Sequence, residues 1–273
     1  MAHLVQVGVG SGGIAVLDAL ARDERITRVT LIEPDIYKPH NVYRHLFSPA
    51  DVGQPKAELA RRWLEQLRPA LTVEVLQVDL CDPAVQAPIE AAFAQASVGV
   101  CAADNELAKF HFDSLARKYG LSWTLGEVLS GGIGGWVHCF RPAGACYGCV
   151  ASYLQRTMPT DENQPTPDYS APGGPVYETT IPASRASIAA IASLHALSTL
   201  MLLDAAADPG FTSLLFTLAR VPGMFEEPFR VHRFRIPRNL DCLICKDHHA
   251  NRLVDAEKLD VALDEALGRL GDA

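Results

Sequence analysis

The segment Gly8-Val-Gly10-Ser-Gly-Gly13 narrows the fold more than any other feature of this chain. A mostly apolar run, Leu4 to Val9, leads into it, and Ile14-Ala-Val-Leu-Asp-Ala-Leu20 follows, which reads as buried strand, tight turn and helix. Missing side chains at Gly8, Gly10 and Gly13 let backbone amides and the helix N-terminus face a phosphate. Val29-Thr-Leu-Ile-Glu33 is a second strand that ends on an acid. Beyond it the pattern predicts helix 55–67, strand 72–78, helix 83–95, strand 97–102, helix 105–118 and strand 121–125. Such alternation gives an α/β fold, a Rossmann-like doubly wound, mostly parallel sheet.

The pattern changes after Gly126. Gly131-Gly-Ile-Gly-Gly135 opens the alternating run Trp136 to Phe140, an expected antiparallel strand. Residues 155–183 carry six prolines and read as a long crossing loop. A helix over 184–204, uncharged between Arg185 and Asp204, further strands near 213–220 and 229–236, and a polar helix over 255–269 complete the chain. The expectation is one domain over 1–273: a nucleotide-binding half to 126, a second half over 127–250, and the C-terminal helix within 251–273.

Composition closes off other classes. Of 273 residues 48% are apolar and 21% charged, enough to bury a large core and too apolar for disorder. The net charge of −8 argues against a nonspecific grip on nucleic acid or an anionic membrane. The N-terminus lacks the basic and apolar regions of a signal peptide, so a cytoplasmic location is expected. The helix over 184–204 nears the length of a membrane span but contains Ser187, Ser193, His195, Ser198 and Thr199, and is expected to be a core helix or an interface.

By themselves the glycines and Glu33 describe an NAD-linked oxidoreductase, with Glu33 on a ribose. The residues that follow point elsewhere. Glu33-Pro-Asp35, Asn41-Val-Tyr-Arg44, Val52-Gly-Gln-Pro-Lys56 and Asp104-Asn105, in that order, resemble the ubiquitin-activating-enzyme-like family that includes ThiF, MoeB and HesA. The resemblance runs from about residue 4 to 250. It implies ATP-dependent adenylation of the C-terminal carboxylate of a ubiquitin-like or sulfur-carrier protein ending in Gly-Gly. It also implies residue roles: Glu33 on the ribose hydroxyls, Arg44 and Lys56 on the triphosphate, Asp104 holding Mg²⁺, with Asp35, Asn41 and Asn105 supporting them. A homodimer and a downstream thiol or conjugating protein are the implied partners. Each residue also has a plain reading: Arg44 and Lys56 as surface cations, Asp35 and Asn41 as turn formers, Asp104 as a helix cap.

Cys146-Tyr-Gly-Cys149 and Cys242-Leu-Ile-Cys245 can supply four thiolates, the ligand set of a closed structural Zn²⁺ site, with a redox pair or free cysteines as the other readings. His248 and His249 read as surface residues. The other three cysteines, Cys81, Cys101 and Cys139, read as inert. Segment 150–190 contains no cysteine, so an activated acyl group would pass to an external acceptor. Two further departures from the family are expected: no arginine-bearing helix before the first strand, and His45 where a Gln often follows the arginine. A nucleotide-binding subunit without activity of its own is a third reading. The 131–135 glycines read either as a passage for a carrier tail or as a turn.

Overall fold

The computed structural model describes residues 1–155, 183–204 and 207–246. Most of the expected crossing loop, the helix over 255–269, and His248 and His249 lie outside the described residues. Among those described, eight strands form one sheet in the order β3-β2-β1-β4-β5-β6-β7-β8. The strands β1 (Ala2–Val7), β2 (Ile26–Ile32), β3 (Thr72–Leu76), β4 (Val98–Cys101) and β5 (Trp123–Val128) are parallel. The strands β6 (Gly134–Phe140), β7 (Ser213–Thr217) and β8 (Val231–Phe234) then pair antiparallel. Both the parallel half and the switch to antiparallel strands follow the sequence reading.

Helices cover both faces of the sheet, which is why its inner strands are buried in near-continuous runs rather than on alternate residues. All six residues of β1 are buried. Leu4 joins one core with helices α1 (Ser11–Leu20) and α2 (Lys56–Leu67). Val5 and Val7 join the other, with α3 (Gln86–Gln95), α4 (Glu106–Lys118) and α5 (Tyr147–Tyr153). In that second core Trp123 stacks on Phe140 with ring centroids 4.1 Å apart, a contact of about 0.5–1.5 kcal/mol beyond its buried area.

Helix α6 (Arg185–Leu202) starts at Ser184, whose hydroxyl accepts the Ser187 N–H. It is long and apolar enough to cross a membrane. Here it packs against α1, β5 and β6, burying Ile188, Ile191, Ala192, His195, Ala196, Ser198, Thr199 and Leu202. Its hydroxyls are satisfied locally, Ser198 and Thr199 donating to the Leu194 and His195 carbonyls. Close approach depends on glycine: a Cβ at Gly135 would meet Ile191 at 2.6 Å, and one at Gly132 would meet Ser187 Oγ at 2.6 Å. Gly131 supplies a turn at φ 70°. Gly132 and Gly135 therefore let α6 seat closely on this turn and strand.

Candidate functional site

Strand order reverses between β1 and β4, and a crevice opens at the carboxyl ends of strands at such a point. A cleft of about 1060 Å³ lies there. Gly8, Gly10, Glu33, Asp35, Asn41, Arg44, Lys56, Asp104 and Asn105 all line it, so the structure brings together residues spread over nearly a hundred positions of sequence. Gly13 does not line it. A Cβ there would sit 2.3 Å from the Gly8 carbonyl oxygen, so Gly13 permits the tight turn behind the cleft wall. Gly8 has φ +90° and lies against the Ala102 backbone. Above Gly10 and Gly12 there is only open space, and no side chain caps α1. An uncapped helix N-terminus facing a void fits a phosphate.

Glu33 ends β2 and is buried. Its Oε2 accepts the Val9 N–H at 2.5 Å and its Oε1 accepts the Asp35 N–H at 2.9 Å. Burial raises its pKa, opposed by Lys56 and by those two amides. Each carboxylate oxygen keeps a second lone pair, which suits a ribose hydroxyl. Backbone bonds then fold residues 35–56 back on themselves: Tyr37 N–H donates to Gln54 O, Gly53 N–H to Tyr37 O and Lys56 N–H to Asp35 O. This brings Asp35 beside Lys56, whose buried Nζ donates to its carboxylate at 2.7 Å. Lys56 is thus a fixed cation in the cleft wall and not a surface lysine.

Asn41 Oδ1 accepts the Lys38 N–H at 2.9 Å, so this residue does form the turn, as its plain reading expected, while still lining the cleft. The expected helix cap at Asp104 is displaced by one residue. Asn105 Oδ1 accepts the Ala108 N–H at 2.7 Å and caps α4. Asp104 is left exposed in the cleft, without a hydrogen bond or ion pair to any of the described residues. An unpartnered carboxylate beside a phosphate seat is a hard oxygen donor of the kind Mg²⁺ takes.

The sequence reading missed a buried charge network in the same cleft. Lys109 Nζ donates to Glu106 at 2.6 Å and to Glu127 at 2.7 Å. Glu106 also accepts the Tyr147 hydroxyl, and Glu127 lies 3.2 Å from His138 Nε2. Burial disfavours the Lys109 ammonium, but Glu127 and Glu106 overcome that and raise its pKa. The one local signal was Glu106 three residues before Lys109 on a helix; the Glu127 contact comes from β5. Removing the cation would strand two carboxylates. Lys109→Met is therefore expected to lower the unfolding free energy by about 3 kcal/mol. A urea melt checks this, and a loss below about 1 kcal/mol would refute the network's role.

The four expected zinc ligands converge away from this cleft. The sulfurs of Cys146, Cys149, Cys242 and Cys245 lie within 4.8 Å of one another, with contacts of 3.6 Å for Cys146–Cys149, Cys146–Cys242 and Cys149–Cys245. Four ligands about 2.3 Å from a tetrahedral Zn²⁺ stand about 3.8 Å apart, so the donor set and spacing fit that ion. Burial and Asp113 push the Cys146 thiol up, so a thiolate at that position calls for a cation beside it. The Cys149 and Asn239 amides already point at the Cys146 and Cys149 sulfurs. Cys101 and Cys139, by contrast, are pushed up to about 12 by burial, in keeping with inert packing.

Known proteins resemble the chain in sequence and in fold. The model of the ThiF family matches residues 1–243. The sulfur carrier protein adenylyltransferase of Thermus thermophilus is 38% identical over 80 residues, 29% of each chain. Ubiquitin-like modifier-activating enzyme 5 of Drosophila virilis is 26% identical over 153 residues, 53% of this chain and 38% of that protein. The chain thus spans well under half the length of these curated relatives. Among solved structures, E. coli MccB with ATP superposes with a TM-score of 0.63 at 16% identity, covering 89% of this chain and 66% of that one. Another structure of E. coli MccB gives 0.64 at 16% identity, over 93% and 66%. These likenesses show the fold. With the family model matched across the glycine loop, the acidic end of β2 and the Asp104-Asn105 pair, all gathered at one crevice, the chain belongs to the ThiF family.

Proposed function

We propose that this chain is an adenylyltransferase that uses ATP to activate the C-terminal carboxylate of a ubiquitin-like or sulfur-carrier protein. The observation that carries the reading is the gathering of phosphate seat, ribose acid, two cations and a free carboxylate in one cleft of a ThiF-family chain. The carrier carboxylate attacks the α-phosphorus, and the bond to the pyrophosphate oxygen breaks. Charge builds on the phosphoryl oxygens, so the protein's task is positioning and neutralisation. The α1 N-terminus receives phosphate oxygens, Glu33 holds the ribose, and Arg44 and Lys56 offset the triphosphate charge. Asp35 aims Lys56. Asp104 would hold Mg²⁺, which supplies further neutralisation of phosphate charge. Zn²⁺ on the four cysteines has a structural role, since four thiolates leave no open position.

With no cysteine in segment 150–190, the acyl-adenylate passes to an external thiol, sulfur donor or amine. The exposed Leu197 and Met201 of α6 form our proposed homodimer contact. An oxidoreductase reading leaves Arg44, Lys56 and Asp104 without a task and is not favoured. Exchange of labelled pyrophosphate into ATP, dependent on a carrier ending in Gly-Gly, tests the proposal. Absence of exchange with every such carrier encoded in the same genome would overturn it.

A further inference from the structure

We propose that His45 is a positioning residue of the nucleotide loop, aiming the Gly10 N–H at the bound phosphates through the Val9 carbonyl. This rests on the ATP-binding reading above and adds a residue to it. His45 is buried, and its Nε2 lies 2.9 Å from the Val9 carbonyl oxygen. A carbonyl only accepts, so Nε2 carries the proton. Nδ1 is buried with no partner among the described residues, so nothing there competes for the proton. The ring is fixed on two sides by Tyr37 and Phe47, with centroids 5.1 and 4.6 Å away. Its own carbonyl accepts from Arg185 at 3.2 Å.

The Val9 peptide groups are thereby held at both ends, the N–H by Glu33 and the C=O by His45. A trans peptide is planar, so the Gly10 N–H points opposite to the Val9 carbonyl. His45 does not line the cleft, whereas Gly10 does. Drawing the carbonyl toward His45 turns the Gly10 N–H toward the cleft, where it meets no acceptor among the described residues. A donor held in advance of binding avoids the cost of ordering it afterwards.

The test compares His45→Gln, which keeps an N–H donor at similar reach, with His45→Leu, which fills the site without one. Affinities for ATP and for adenosine are measured by calorimetry on the full chain. His45→Leu is expected to lose about tenfold in ATP affinity with adenosine binding unchanged, and His45→Gln to recover most of the loss. Equal weakening for ATP and adenosine, or ATP affinity unchanged in His45→Leu, overturns the role. Should His45→Leu fail to fold, ¹⁵N shifts of the His45 ring in the unaltered chain decide, because a proton on Nδ1 is incompatible with it. An unaltered chain that binds no ATP overturns the ATP-binding reading together with this one; a wild-type affinity combined with an indifferent His45→Leu overturns His45 alone.

Discussion

Asp104→Ala is expected to lower carrier-dependent pyrophosphate exchange by about 10²–10³-fold while leaving the melting temperature where it was. The two halves of that expectation have separate causes. Asp104 is exposed and caps nothing, since Asn105 does that, so its loss removes no contact that holds the fold. Its carboxylate would matter only when a divalent cation sits with the triphosphate, and a charge positioned for the transition state counts far more than one in water. Lys56→Ala should reduce exchange comparably, yet with some loss of stability, because Lys56 is buried against Asp35. An Asp104→Ala protein with full exchange would remove that residue from the mechanism, and a large drop in melting temperature would mean its role is structural.

The second large effect concerns the cysteines. Zinc binding in finger peptides is worth about 10–16 kcal/mol, and a site stripped of one thiolate loses much of it. Cys149→Ser is therefore expected to take bound zinc from about one ion per chain to nearly none and to lower the melting temperature markedly, whereas Cys81→Ser, outside the cluster, should do neither. Metal analysis and thermal melts measure both. Two disulfides in place of metal, or a Cys149→Ser protein that melts like the parent, would sink the zinc assignment.

Much of the molecule was legible in its sequence because local signals and long-range ones agreed. The glycine loop, the apolar β1 and β2, and Pro55 before α2 each announce their element, and the strand-helix alternation forces the parallel order. The Cys pairs carry their own geometry in their spacing. What the sequence hid are pairings between distant elements. Nothing local in the sequence pairs Lys109 with Glu127, which β5 brings beside it. His45 reads as a replaced glutamine until the Val9 carbonyl is found at its Nε2. The shift of the cap from Asp104 to Asn105 is smaller, a matter of one residue, but it leaves the Asp104 carboxylate exposed in the cleft.

The place of β1 has a consequence for how the chain comes to be folded. Strand β1 is made before both of its neighbours, yet it lies inside the sheet, flanked by β2 and by β4. Its second edge stays open until residues 98–101 are made, and Gly8 finds the Ala102 backbone only then. Non-local pairing of this kind is slow and exposes apolar edge while it waits. A nascent chain stalled before β4 would therefore present a strand that is buried throughout in the folded chain to other chains, and the nucleotide seat is completed by its later residues.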